Sequence, residues 1–263
     1  MHKWKTRALS LFLAALMLSL TVLPGVAAST AASTIQLMKT TGTVTVTNSS
    51  GRSLTKRDNM LLYSGYRVQT GAKSYAWINL DSTKLSKLDA SSKVEIRKSG
   101  KKLELLLSSG HIYFNVTSPL ASDETLNVRT STMVTGIRGT CGWINVVDGG
   151  TTEIYVLEGT VQCNVTDPVT GQVKTATVES GEKITTVAYP QDQEGDKCGF
   201  IQEKFDVSDV NGFVLEELAQ DPELCEEICE KSGLDLQKAA ENAQERLKQD
   251  QQRLQDALDL LHG

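Results

Sequence analysis

Gly42-Thr43-Val44-Thr45-Val46-Thr47 is a glycine followed by strict alternation of threonine and valine. The same figure returns as Gly110-His111-Ile112-Tyr113-Phe114-Asn115-Val116 and as Gly159-Thr160-Val161-Gln162-Cys163-Asn164-Val165. Successive side chains on an extended strand point to opposite faces, so residues two, four and six places after each glycine line one face of a strand entered from a turn. Val44, Val46, Ile112, Phe114, Val116, Val161 and Val165 are therefore expected to share a core. Cys163 has the same phase and is expected to be a buried thiol acting as a small hydrophobe.

Working outward, the stretch from Gly42 to about Ala188 alternates short apolar segments with Gly, Ser, Asn and Asp, and proline is nearly absent from it. That is the pattern of many short strands joined by turns. A second echo pairs Ser64-Gly65-Tyr66-Arg67-Val68-Gln69-Thr70 with Ser180-Gly181-Glu182-Lys183-Ile184-Thr185-Thr186. The copies are irregularly spaced, which argues against a solenoid with fixed coils. The expected fold class is mainly β, a two-sheet sandwich or solenoid-like domain, with a helical tail behind it. One hairpin can be drawn: Trp143 to Val147, the turn Asp148-Gly149-Gly150, and Thr152 to Leu157.

Gly42-Thr43-Val44-Thr45-Val46 is followed by Leu61-Leu62-Tyr63-Ser64-Gly65-Tyr66-Arg67-Val68-Gln69-Thr70-Gly71 and by Ser74-Tyr75-Ala76-Trp77-Ile78-Asn79-Leu80-Asp81. Later come Leu103-Glu104-Leu105-Leu106-Leu107, Val128-Arg129-Thr130, Gly136-Ile137-Arg138-Gly139-Thr140 and Glu158-Gly159-Thr160-Val161. In this order the segments resemble the FecR domain family over roughly residues 42 to 188. The family is named for membrane regulators that pass an outside signal to a sigma factor through a cytoplasmic segment, one membrane span and an exported β domain. Here only about seven residues precede the first apolar run, too few for a cytoplasmic anti-sigma segment. The resemblance thus implies an exported β domain serving as a binding or assembly module.

That apolar run, Ala8 to Leu23, follows a basic head of His2, Lys3, Lys5 and Arg7 and ends in small residues around Ala28. It reads as a signal peptide over residues 1–28, with an uncleaved anchor as the alternative. The chain is expected to be secreted or extracytoplasmic and associated with the cell surface. Losing Lys3, Lys5 and Arg7 with the leader takes the net charge from −5 to −8. An acidic chain is a poor partner for nucleic acid, whose binding rests on clustered Lys and Arg. Residues 29–41 and 189–207 read as linkers, and 208–263 as the helical tail.

In the tail, Asp221-Pro222 suits the cap and first turn of a helix that should stop near Ser232-Gly233. Beyond it, Leu236, Ala240, Ala243, Leu247, Leu254, Ala257 and Leu261 recur at spacings of three and four, broken by Asp250. Such a stripe fits a coiled-coil partner, and weak self-association through this helix is one expectation. A helix folded back on its own domain is the other. The five cysteines are too few and scattered for a disulfide scaffold, and Cys225 and Cys229, one helical turn apart, have no histidine with them to suggest a metal site.

Catalytic patterns are missing. His2 leaves with the leader, His262 is next to last, and His111 stands alone in the β region, so neither a hydrolytic triad nor a His-rich metal site can be assembled. No phosphate-cradling loop is present. Asp81, Asp89, Glu95 and Glu104 lie near strands without forming a recognisable catalytic pair. No enzyme activity, cofactor or metal is expected. Arg138 reads first as a structural ion pair and second as a ligand contact. Tyr75 and Trp77 share a strand phase and Tyr113 points outward, so the three rings, if exposed together, would form a platform for a sugar or a protein. If both sheet faces are covered, the rings are core instead. The expected function is a non-catalytic binding or assembly module, sensory or regulatory, with an envelope protein or cell-wall polysaccharide as partner. A carbohydrate or cell-wall binding module is the alternative.

Overall fold

A computed structural model describes residues 34–147, 150–188 and 198–262. The residues read as a leader lie outside them, as do Asp148 and Gly149 of the expected turn. The chain winds two sheets in turn. Sheet A takes β1 (Gln36–Thr41), sheet B takes β2 (Val44–Thr47) and β3 (Ser53–Leu54), A takes β4 (Met60–Leu61), and B takes β5 (Arg67–Thr70). From there two-strand ribbons alternate. β6 (Tyr75–Asp81) and β7 (Lys84–Leu88) enter sheet A, β8 (Lys93–Ser99) enters B, and the long β9 (Lys102–Val116) serves both. β10 (Thr125–Arg129) and β11 (Val134–Ile137) join B, and β12 (Cys141–Val146) and β13 (Thr152–Glu158) join A. β14 (Thr160–Thr166) and β15 (Val173–Glu179) return to B, and β16 (Glu182–Ala188) and β17 (Cys198–Lys204) end the winding in A. Of the described ladders only that between β9 and β10 is parallel. The hairpin drawn from sequence is β12–β13.

The repeated glycines mark the crossings between sheets. Gly42 lies between β1 and β2, Gly110 inside β9 where it leaves sheet B for sheet A, and Gly159 between β13 and β14. Their φ values of 72°, 80° and 84° lie in the left-handed region, which side chains with a Cβ resist. At Gly110 space is also lacking, because a Cβ would sit 2.5 Å from Ser92 Cα. The glycine is what lets one strand turn the corner and serve two sheets.

Between the sheets lies the main core. All seven residues expected there, with Cys163, are buried in it beside Ala76, Ile78 and Leu80. Full burial of each aliphatic side chain contributes roughly 1.5–3 kcal/mol. The β region is longer than the reading from residue 42 to 188. Ile35 and Leu37, in the stretch read as a linker, are 3% and 0% exposed in this core, and β17 occupies part of the second linker. Both strands escaped notice because one face of each is polar and too few apolar residues recur to show a period.

Three helices follow: α1 (Gly212–Leu218), α2 (Pro222–Ser232) and α3 (Gln237–His262). Asp221 caps α2 by accepting from Leu224 N–H at 3.1 Å, and Gly233, at φ 74°, ends it. The helices form a second core on the outer face of sheet A, where Phe213, Val214, Leu218, Ile228 and Leu236 meet Trp143, Tyr155 and Leu157. Ala240 and Ala243 are buried there as well. The first part of the apolar stripe thus folds back onto its own domain, and Leu254, Ala257 and Leu261 lie outside the described side chains.

Candidate functional site

The two outer faces of the sandwich differ sharply. Across sheet A, strand register sets Lys39 beside Trp77, Trp77 beside Lys87, Lys87 beside Tyr113, Tyr113 beside Trp143, Trp143 beside Tyr155 and Tyr155 beside Lys183. Tyr75 lies two residues from Trp77 on β6. The structure therefore brings the three rings singled out in the sequence onto one face, with Lys87 between two of them.

They do not form an open platform. Tyr113 is 1% exposed and Trp77 9%. So wide an apolar surface is unfavourable in water, and the chain covers it with α1. Trp77 Nε1 donates to Glu217 Oε1 at 2.9 Å. Lys87, at 0% exposure, donates to the Phe213 carbonyl at 2.9 Å and pairs with Glu216 and Glu217 at 3.0 Å each. Its ammonium lies 4.9 Å from the Tyr75 ring centre and 5.0 Å from that of Trp77, within cation–π range. Burial, with help from Glu216 and Asp89, raises the Tyr75 hydroxyl above its usual range. Tyr113 shares a 3.2 Å hydrogen bond with Cys141, and burial pushes that thiol up to about 12. His111 points outward as expected, but its Nδ1 is 2.8 Å from Asn145 Oδ1 and its ring meets Phe213.

Sheet B presents polar side chains. Arg67 meets Glu95 at 2.8 Å, Glu95 meets Arg97 at 3.0 Å, Arg97 meets Glu104 at 3.7 Å, and Glu104 meets Arg129 at 2.9 Å. Hydrogen bonds from Arg97 and then Arg67 hold the Glu95 carboxyl below its usual range against the opposing effect of burial. Next to this ladder runs a trough of about 650 Å³. Asn127, Gly136, Gln162 and Thr177 are successive neighbours across four strands, and the missing side chain at Gly136 sets the floor. Arg138 lines the trough. It is exposed, and no ion pair joins it to any described residue, so the structural pairing expected of it is not there.

Sequence reading missed Lys87 and the trough. Lys87 faces outward from the short strand Lys84–Leu88, opposite Trp77, and only the register reveals a buried cation. The trough gathers polar residues from four strands, and outward polar residues on a sheet are ordinary.

Alternating ribbons wound into two sheets, with helices capping one outer face, define an all-β sandwich protein with a helical cover. Within it, residues 66–162, at the centre of the chain, match the family model described as FecR protein. Two crystal structures of a protein from Parabacteroides distasonis ATCC 8503, provisionally described as an anti-sigma factor, are similar at 12% identity and a TM-score of 0.44. Each match covers 57% of this chain and 64% of the other, so the chain spans less than two thirds of that relative's length. Comparison with curated proteins gave no match.

Proposed function

We propose that this chain is a non-catalytic binding module, sensory or regulatory in role, that works outside the cytoplasm and meets its partner on the open face of sheet B. The carrying observation is the asymmetry of the sandwich. Its apolar outer face is occupied by its own helices, and its polar outer face holds a trough lined by an arginine with no ion pair among the described residues. The match to the FecR family model supports the regulatory reading, and the basic head and apolar run at the amino terminus support export. An envelope protein or a cell-wall polysaccharide is the partner this reading calls for. A carbohydrate module built on Tyr75, Trp77 and Tyr113 loses its footing, because those rings lie under α1.

The test is retention of residues 29–263 on envelope preparations from the producing cells. The native chain is expected to be retained, and Gly136→Leu, which fills the trough, to fall to background. At Gly136 an added Cβ meets only ordinary contacts, 3.6 Å from Asn127 Oδ1 and 3.8 Å from the Gln162 carbonyl, so the fold should tolerate the change. Equal retention of both proteins defeats the proposal. For export, a fusion of residues 1–28 to alkaline phosphatase should be active, and an inactive fusion counts against it.

A further inference from the structure

We infer that the trough on sheet B is a site for an acidic sugar, a carboxylate-bearing oligosaccharide whose carboxylate pairs with Arg138 and whose hydroxyls are held by Asn127 and Gln162. The inference rests on the reading of sheet B as the contact face and names the chemistry of its ligand.

Charge is the first argument. Arg67, Arg97 and Arg129 are each engaged by Glu95 or Glu104, whereas Arg138 at the trough has no carboxylate partner among the described residues. Lys93 and Lys102 add outward cations to the same sheet, and Glu179 is the further outward carboxylate. Among the described residues that point outward from this sheet, six cations stand against three carboxylates, a positive balance in a chain whose net charge is −5. A local field opposite in sign to the whole protein draws anions to this face and away from the rest. A planar guanidinium free of other duties matches a carboxylate bidentately.

Hydrogen bonding is the second. The amides of Asn127 and Gln162 make no side-chain hydrogen bond to described residues, while that of Asn164 accepts from Thr175 at 2.7 Å. A free amide both donates and accepts, as a sugar hydroxyl does. Thr125, Thr160 and Thr177 extend the polar lining. The anchors of protein interfaces are mainly tryptophan, tyrosine and arginine, and the trough, whose apolar lining is aliphatic, offers Arg138 but no aromatic side chain. Phosphate polymers call for clustered cations, and here a single arginine reaches the trough. Its volume falls within the ~300–1,000 Å³ usual for ligand sites.

Titration calorimetry of residues 29–263 with a galacturonate oligomer tests this, with a neutral galactose oligomer and inorganic phosphate as comparisons. Saturable binding of the galacturonate is expected, with the neutral oligomer at least about tenfold weaker. Arg138→Gln should erase that preference, and Asn127→Ala with Gln162→Ala should weaken both sugars. Equal affinity for the two oligomers, an unchanged preference in Arg138→Gln, equal competition by phosphate, or no saturable binding of galacturonate overturns the inference. If galacturonate fails while envelope retention still depends on the trough, the sugar is wrong and the contact face stands. If retention is also indifferent to Gly136→Leu, both fall.

Discussion

Lys87 Nζ lies 3.0 Å from the Glu217 carboxylate, joining the middle of sheet A to the helix that covers it. The cation is wholly buried, with Glu216 and the Phe213 carbonyl as its other partners. Removing one side of such a pair leaves uncompensated charge, at a cost of about 3–5 kcal/mol. Lys87→Met is expected to lower the denaturant midpoint accordingly, followed by the fluorescence of Trp77, which contacts the same carboxylate. Adding Glu217→Gln should restore part of the loss, and no restoration would show that packing rather than charge holds α1.

A crossing glycine should be far less replaceable than one inside a strand. Gly110→Ala combines a left-handed φ with a clash against Ser92, and should cost more than about 2 kcal/mol. Gly136→Ala meets neither obstacle and should shift stability by less than about 1 kcal/mol. Thermal melts of the two variants check the contrast.

Acid should loosen the β6–β7 hairpin. Burial pushes the Asp81 carboxyl up, but hydrogen bonds from Lys84 and Thr83 outweigh it and hold the carboxyl below its ordinary 3.8. A carboxyl depressed by folding contributes stability above its unfolded value, and that contribution is lost as pH falls through the folded value. Lys84, also paired with Glu124 at 2.8 Å, is held above 10.5 by these hydrogen bonds despite its burial. Its contribution is complete below that value and lost as pH rises through the higher folded one. Asp81→Asn should flatten the acid limb of a stability profile measured by urea unfolding.

Thiol reactivity should follow burial. Burial pushes Cys141 and Cys163 each up to about 12, and Cys225, beside Cys229, up to about 11. Cys229 is the half-buried one of the five. Iodoacetamide at mildly alkaline pH should modify Cys229 first in the folded chain and spare Cys141 and Cys163 until denaturant is added, as peptide mass mapping would show.

Much of the fold can be read from the sequence, because alternation behind a glycine is a local signal. Gly42, Gly110 and Gly159 announce strands, and the residues two and four places on lie in the core. What they do not announce is that each also marks a passage from one sheet to the other, since the direction of a turn depends on neighbours such as Ser92. The rings of Tyr75, Trp77 and Tyr113 were legible as one face, but their cover was not. α1 is only seven residues long, and Glu217 lies 140 residues from Trp77. Arg138 stood out in the sequence, whereas Asn127 and Gln162 meet beside Gly136 only through the register of three strands.

The fifteen residues of β9 belong to both sheets. From β5 to β17 the strands of each sheet add on in chain order to either side of it, so along that stretch sequence position maps onto distance through the sandwich. A force pulling the two ends apart would have to lift the helices from sheet A and then strip ribbons from the outside inward, leaving β9 as the keel around which the strands hold together longest under tension.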